Sequence, residues 1–215
     1  QNGDIQDRML YFLENHDEQR IACDFFAADG RKAVPALIAN ALMQKNPFML
    51  YAGQEYGERG MDKEGFSGHD GRTTIFDYWS VDTLCHAATK KLTAEEQSLA
   101  DIYQKVLNIA RTEKAVTNGL MFDLMYVNSQ YQRQYVFLRK AGTELLLVAV
   151  NFDDVPMTMN VTIPAHAFDY LKMKEKQCQA VDLLTGTKLK LKLERDTMIP
   201  VSMQPRSGAV LKFRG

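Results

Sequence analysis

Met9-Leu10-Tyr11-Phe12-Leu13 is a short continuous apolar run, and Glu14-Asn15-His16-Asp17 follows it without a break. Five apolar residues closed by four polar ones read as a strand covered on both faces, the pattern of a parallel sheet. Working outward, a helical period runs from about Arg31 to Gln44 through Val34, Leu37, Ile38, Ala41 and Leu42. Asp29-Gly30 precedes it, Pro35 is tolerable only in its first turn, and Asn46-Pro47 stops it. A second apolar run follows at once, Phe48-Met49-Leu50-Tyr51-Ala52, and it too ends in polar residues, Gln54 and Glu55. Strand, helix and strand in this order predict a right-handed crossover in a parallel sheet. Such sheets carry their chemistry at the C-terminal ends of the strands, where a carboxylate is held firmly yet stays reachable. Both polar strand ends are therefore candidate sites.

The rest of the chain divides in two. Gly57 to about Leu92 reads as a long irregular stretch with five glycines, in which Asp62, Glu64, Asp70, Tyr78 and Trp79 are expected near the rim of a cleft. Thr93 and Glu96 form a capping box, and Leu99, Ile102, Tyr103, Val106, Leu107 and Ala110 give the following helix one apolar face. From about Val116 the period changes to two. Met157, Met159, Val161 and Ile163 alternate with polar residues, as do Leu189, Leu191 and Leu193 with Lys188, Lys190 and Lys192. Leu145 to Val150 reads as a core strand, Thr185-Gly186-Thr187 as a hairpin turn, and Ala209 to Phe213 as the last strand. The expected fold class is thus α/β followed by all-β, with a first domain over 1–115 and an antiparallel sandwich over 116–215.

The composition excludes several function classes. The 215 residues include 26 Lys+Arg and 27 Asp+Glu, a net charge of −1. Residues 1–115 hold 13 basic and 18 acidic side chains, and residues 116–215 hold 13 and 9. That balance argues against nucleic-acid or membrane-surface partners. No apolar run approaches the ~18 residues of a membrane span, and Gln1-Asn2-Gly3-Asp4 is unlike a secretion signal. The three cysteines, Cys23, Cys85 and Cys178, are far apart, which fits neither a disulfide framework nor a zinc site and leans weakly toward a cytoplasmic protein. His69, His86 and His166 do not complete a metal set with His16 and Asp17, so no metal and no cofactor are expected.

Phe12-Leu13-Glu14-Asn15-His16-Asp17 resembles the fourth conserved region of the α-amylase family of glycoside hydrolases, which ends the seventh strand of their barrel. Asn46-Pro47-Phe48-Met49-Leu50-Tyr51-Ala52-Gly53-Gln54-Glu55 is similar to that family's eighth strand, and the spacing between the two fits one crossover helix. The resemblance implies a partial (β/α)8 TIM barrel, its last two strand–helix units, followed by the family's C-terminal antiparallel β-sandwich. A full barrel needs about 250 residues, so the missing N-terminal part of the same enzyme becomes an expected partner. It implies a retaining enzyme acting on an α-glucan oligosaccharide or polysaccharide, with nucleophile and acid/base outside this chain, which alone is expected to be inactive. By the same resemblance Asp17 stabilises the transition state and His16 binds the sugar. Arg20 and Glu14 contact substrate or support those that do, and Asn15, Gln54 and Glu55 brace the site. Alternatives are a glycosyl-transferring member of the family and a non-catalytic glucan-binding or assembly module. Apolar strands without the remainder of a barrel would leave exposed edges, and a dimer through them is a further expectation.

Overall fold

The computed structural model describes residues 5–62, 70–76 and 80–214. Glu64, His69, Tyr78 and Trp79, noted above, lie outside them. The chain divides into two compact units, one of Gln1–Leu37 with Asn46–Lys105 and one of Ile38–Lys45 with Val106–Gly215. The whole is mixed α/β with an extensive antiparallel sheet.

In the first unit β1 (Tyr11–Phe12) pairs in parallel with β2 (Phe48–Met49), Tyr11 opposite Phe48 and Phe12 opposite Met49. A 3-10 turn over Gly30–Ala33 leads into α1 (Val34–Met43) between them. The Asp29 carboxylate caps that turn by accepting from Arg31 N at 2.9 Å, and Pro35 occupies the first turn of α1, where its missing N–H costs little. The parallel pairing of two strands joined through a helix is as expected, but each strand spans two residues rather than five. Leu10 (51 % exposed) and Phe12 (42 %) are not covered on both faces. Among the described residues β1 and β2 pair only with one another, and Tyr11, Phe48 and Met49 are half-buried.

Among the described residues, the irregular stretch contains one element that the sequence pattern does not predict, α2 (Asp82–Ala88). Thr83 is its one buried residue, so no apolar period marks it. α3 (Ala94–Thr112) follows. Its capping box is formed: Thr93 N donates to Glu96 Oε2 at 2.7 Å and Glu96 N to Thr93 Oγ1 at 3.2 Å. Leu99, Tyr103, Val106 and Ile109 are buried along one face.

The second unit holds α4 (Lys114–Thr117), α5 (Ala165–Tyr170) and the strands β3 (Leu120–Asp123), β4 (Gln134–Ala141), β5 (Glu144–Asn151), β6 (Met157–Thr162), β7 (Lys176–Asp182), β8 (Lys188–Leu193), β9 (Met198–Met203) and β10 (Ser207–Arg214). Six strands form one antiparallel sheet in the order β3-β4-β5-β10-β7-β8, and β6 pairs with β9. One face of the large sheet, with Leu138, Leu147, Ala149 and Leu211, shares a core with Met159, Val161, Ile199 and Val201 of the small one. The expected hairpin turn is present, with Gly186 at φ +80° and its N–H donating to Asp182 O at 2.7 Å.

The two faces of β5 explain its continuous apolar reading. Leu145, Leu147 and Ala149 enter the shared core, while Leu146, Val148 and Val150 are equally buried on the opposite face. Arg139 serves that opposite side. Its guanidinium, 3 % exposed, donates to Met43 O (2.8 Å), Ala115 O (3.0 Å) and Val116 O, which cap the C-terminal ends of α1 and α4. Burial lowers its pKa to about 10, which leaves it charged at neutral pH. At the far edge the same side of β8 presents Lys188, Lys190 and Lys192 to solvent, and charged side chains there discourage edge-to-edge pairing.

Candidate functional site

The predicted residues separate into a buried brace and an exposed tip. Glu14, which follows β1 closely, is 3 % exposed and Arg20 is 1 % exposed, and they form an ion pair at 2.8 Å. Glu14 Oε1 also accepts from Ile21 N at 2.7 Å. Arg20 uses the rest of its donor fork on Thr73 Oγ1 (3.0 Å, from Nε) and Ala52 O (2.6 Å, from Nη2), and it lies 4.1 Å over the Tyr51 ring. Its own backbone N–H donates to Gly71 O at 2.6 Å. One side chain thus ties together the loop after β1, the chain after β2 and the segment around Thr73. Burial raises the Glu14 pKa above the usual carboxylate value, opposed by the charge and hydrogen bond of Arg20.

The brace depends on two glycines. Gly71 N donates to Gly60 O at 3.0 Å, and both residues have positive φ, +82° and +60°. A Cβ on Gly71 would sit 2.7 Å from Cys23 Sγ. Gly71→Ala is therefore expected to cost about 2–3 kcal/mol from overlap and backbone strain together. A fall of about 5–10 °C in the thermal midpoint would report it, and an unchanged midpoint would contradict this packing.

The tip is built by a short local motif. Asn15 Oδ1 accepts from Asp17 N and Glu18 N, both at 2.9 Å, an Asx turn that bends the chain directly after Glu14. It leaves the His16 and Asp17 side chains outward, 48 % and 74 % exposed, with His16 Nε2 3.4 Å from Asp17 Oδ1. An exposed carboxylate on a turn anchored to a buried ion pair keeps its charge available to a ligand.

The second strand end turns on Gly53 (φ +89°) into a 3-10 turn over Gln54–Tyr56. Gln54 is buried and donates from Nε2 to the Tyr103 hydroxyl of α3 at 3.1 Å. Burial raises the Tyr103 pKa, so that hydroxyl stays protonated. Glu55 is half-buried, Oε2 has no hydrogen-bond partner among the described residues, and desolvation raises its pKa. Glu58 is buried and accepts from Arg59 N and Gly60 N at 2.9 Å and from Thr83 Oγ1 at 2.5 Å.

The structure joins Glu14, Arg20 and the second strand end into one network and sets His16 and Asp17 beside each other on the exposed turn. Asp70, expected at a cleft rim, pairs with Arg72 at 2.6 Å, and Asp62 is exposed. A cavity of about 200 Å³ in this unit is lined by Asp29, Arg31, Tyr56 and Glu95 among others, and neither His16 nor Asp17 lines it. Sequence reasoning missed Tyr51, Thr73, Tyr103, Glu58 and Thr83. Tyr51 and Tyr103 read as ordinary apolar positions, and no local pattern marks the two threonines.

No protein-family model and no curated protein sequence matches the chain. Solved structures do. An α-amylase from Geobacillus thermoleovorans in complex with acarbose superposes on 97% of the chain with a TM-score of 0.64 at 16% identity, over 39% of its own length. A maltogenic α-amylase from Thermotoga neapolitana covers 96% with a TM-score of 0.62 at 16% identity, over 41% of its own length. A trehalose-6-phosphate hydrolase from Bacillus licheniformis covers 96% with a TM-score of 0.57 at 15% identity, over 43% of its own length. The chain has the fold of α-amylase family enzymes over the two fifths or so of their length that it spans.

Proposed function

We propose that this chain is the C-terminal part of a retaining, α-glucan-acting glycoside hydrolase. In this reading residues 1–115 close a TIM barrel and residues 116–215 form its β-sandwich. The observation that carries it is the exposed His16–Asp17 pair, presented by an Asx turn directly behind β1 and anchored on the buried Glu14–Arg20 pair. Retaining hydrolysis needs two carboxyl groups about 5–5.5 Å apart, one as nucleophile and one as acid/base. Both belong to chain outside these residues, as do the remaining walls of the cleft. Asp17 is the third carboxylate. It accepts hydrogen bonds from hydroxyls of the sugar at the scissile bond, and its charge favours the oxocarbenium-like transition state over the neutral ground state. His16 hydrogen-bonds the same sugar. Asn15, Glu14, Arg20, Gln54 and Glu55 hold the two strand ends in register, so their contribution is position rather than contact.

The test is product stereochemistry. The intact protein is incubated with maltoheptaose, and new reducing ends are followed by proton NMR before they mutarotate. Appearance of the α-anomer first is expected. The β-anomer first, or binding without cleavage, would contradict the reading, the latter in favour of a glucan-binding module. Products longer than maltoheptaose would assign transfer rather than hydrolysis.

A further inference from the structure

The large sheet of the β-rich unit is uneven at one end. β10 pairs with β5 as far as Lys212 opposite Leu146, and with β7 as far as Arg214 opposite Gln179. Beyond those pairs Leu145 of β5 is still held by Lys140 of β4, and Lys176 of β7 by Leu193 of β8. Among the described residues no strand lies between these two outlying pairs, so the sheet has a notch there. A cavity of about 370 Å³ is lined from both sides of it, by Lys140 and Leu145 on one and by Lys176 and Leu193 on the other. Its floor is apolar, because Leu145, Leu193 and Met173 belong to the shared core.

The rim is cationic throughout. Lys172 and Lys174, on the link between α5 and β7, join Lys140 and Lys176 around the opening, and no carboxylate among the described residues lines it. The nearest acidic residues along the chain are turned to other partners. Glu144 accepts from Ala115 N at 2.7 Å and pairs with Lys212 at 3.0 Å. Glu175 accepts from Arg195 N at 3.0 Å, and Glu194 lies 3.8 Å from Lys192. The link itself is anchored: Met173 N donates to Phe168 O at 2.8 Å, and the Met173 side chain is buried between two exposed lysines. Its charges are thus set at the opening before any ligand arrives, and like charges so gathered repel one another until an anion joins them.

Charge, shape and floor select the ligand. The whole chain carries −1, yet four lysines surround this one cavity. A phosphate monoester brings about −1.5 to −2 at neutral pH, so two phosphoryl groups balance the rim, whereas a single carboxylate leaves most of it unmatched. Lysine suits such a ligand, since its ammonium binds phosphate as a point charge with rotatable donors and needs no fixed fork. The volume lies within the roughly 300–1,000 Å³ of small-molecule sites, and the apolar floor offers a place for an organic group behind the charges. A recess of this kind favours a free molecule over a headgroup fixed in a flat lipid surface.

We propose that this notch is a binding site for a small organic diphosphate, its phosphoryl groups held by Lys140, Lys172, Lys174 and Lys176 and its organic part resting on Leu145, Met173 and Leu193. The site goes beyond the glycosidase reading and does not depend on it. Its test is calorimetric titration of the intact protein with methyl diphosphate and butyl diphosphate in about 50 mM NaCl, where screening is modest. Wild type, Lys172→Gln/Lys174→Gln, Lys174→Gln and Lys188→Gln/Lys190→Gln are compared, the last pair being exposed lysines of β8 outside the cavity. Binding of both probes by the wild type is expected, weakened about tenfold or more in Lys172→Gln/Lys174→Gln and about threefold in Lys174→Gln. Lys188→Gln/Lys190→Gln should change it by less than about twofold, because those charges lie outside the cavity. Thermal midpoints should stay within about 2 °C, as at other exposed positions. Butyl diphosphate should bind at least about threefold tighter than methyl diphosphate, since it carries the same charge and more apolar surface for the floor. No binding by the wild type overturns the site, as does equal weakening in the two double variants, which would report a general positive field. Equal affinity for the two probes overturns the assignment to an organic diphosphate. Binding to vesicles of phosphatidylcholine with phosphatidic acid that excess butyl diphosphate does not displace overturns the free-molecule source. Turnover of glucan enters none of these readouts, so failure of either reading is seen separately from failure of the other.

Discussion

Arg20→Met is expected to destabilise the first unit by about 3–5 kcal/mol, the typical cost of removing one member of a buried ion pair. The guanidinium is 1 % exposed and engages Glu14, Thr73 and Ala52 O while lying over Tyr51. Methionine fills much of the volume but leaves the Glu14 carboxylate buried without its cation and Ala52 O without this donor. Glu14→Gln in the same background removes the orphaned charge, so the double variant should be more stable than Arg20→Met alone, with a coupling of at least about 2 kcal/mol. Arg20→Lys should recover less than half of the loss, because an ammonium cannot span a fork of separate acceptors. Urea titration of the wild type, Arg20→Met, Glu14→Gln, the double variant and Arg20→Lys checks this. A cost below about 1 kcal/mol for Arg20→Met would mean that the pair does not hold the loop.

Some of these elements were legible because their causes are local. The Thr93–Glu96 box and the buried stripe of α3 depend on residues three and four apart. The box forms as the pattern predicts, and Leu99, Tyr103 and Val106 of the expected face are buried, joined by Ile109, while Ile102, Leu107 and Ala110 are only half-buried. The contrast between β5, continuously apolar, and β8, alternating Lys and Leu, likewise follows from how many faces each buries. The shortness of β1 and β2 was not legible, since an apolar run records potential for burial and not whether neighbours are present to cover it. β7 was missed because Lys-Gln-Cys-Gln-Ala-Val-Asp alternates weakly. α2 was missed because its sequence carries almost no buried face. At the candidate site, the polar strand ends could be read directly. The bracing could not, because Arg20 meets Thr73 across 53 residues, and in the second unit Arg139 likewise meets Met43 O across 96. Their partners are a hydroxyl and backbone carbonyls, to which no residue type points.

Asp17→Asn is expected to lower kcat of the intact protein by about three orders of magnitude. Asparagine keeps the shape and one acceptor oxygen, removes the charge and turns the second acceptor into a donor. A carboxylate about 4 Å from a forming oxocarbenium contributes on the order of 4 kcal/mol at an effective dielectric near 20, and each 1.4 kcal/mol is about tenfold in rate. The neutral ground state gains far less from that charge, so KM should change by less than about fivefold. The side chain is 74 % exposed and the turn is anchored through the Asp17 backbone N–H, which donates to Asn15 Oδ1, so stability should move by no more than about 0.5 kcal/mol. Asn15→Ala separates position from charge: it removes the acceptor for Asp17 N and Glu18 N, and kcat should fall by about tenfold with the carboxylate still present.

The most direct measurement is therefore steady-state hydrolysis of maltoheptaose by the intact protein and its Asp17→Asn variant, with both thermal midpoints recorded. A kcat lowered about 1000-fold, with KM and midpoint nearly unchanged, is the expected result, following from a barrier increase of about 4 kcal/mol. A kcat within tenfold of the wild type, with the fold intact, would contradict a transition-state role for Asp17.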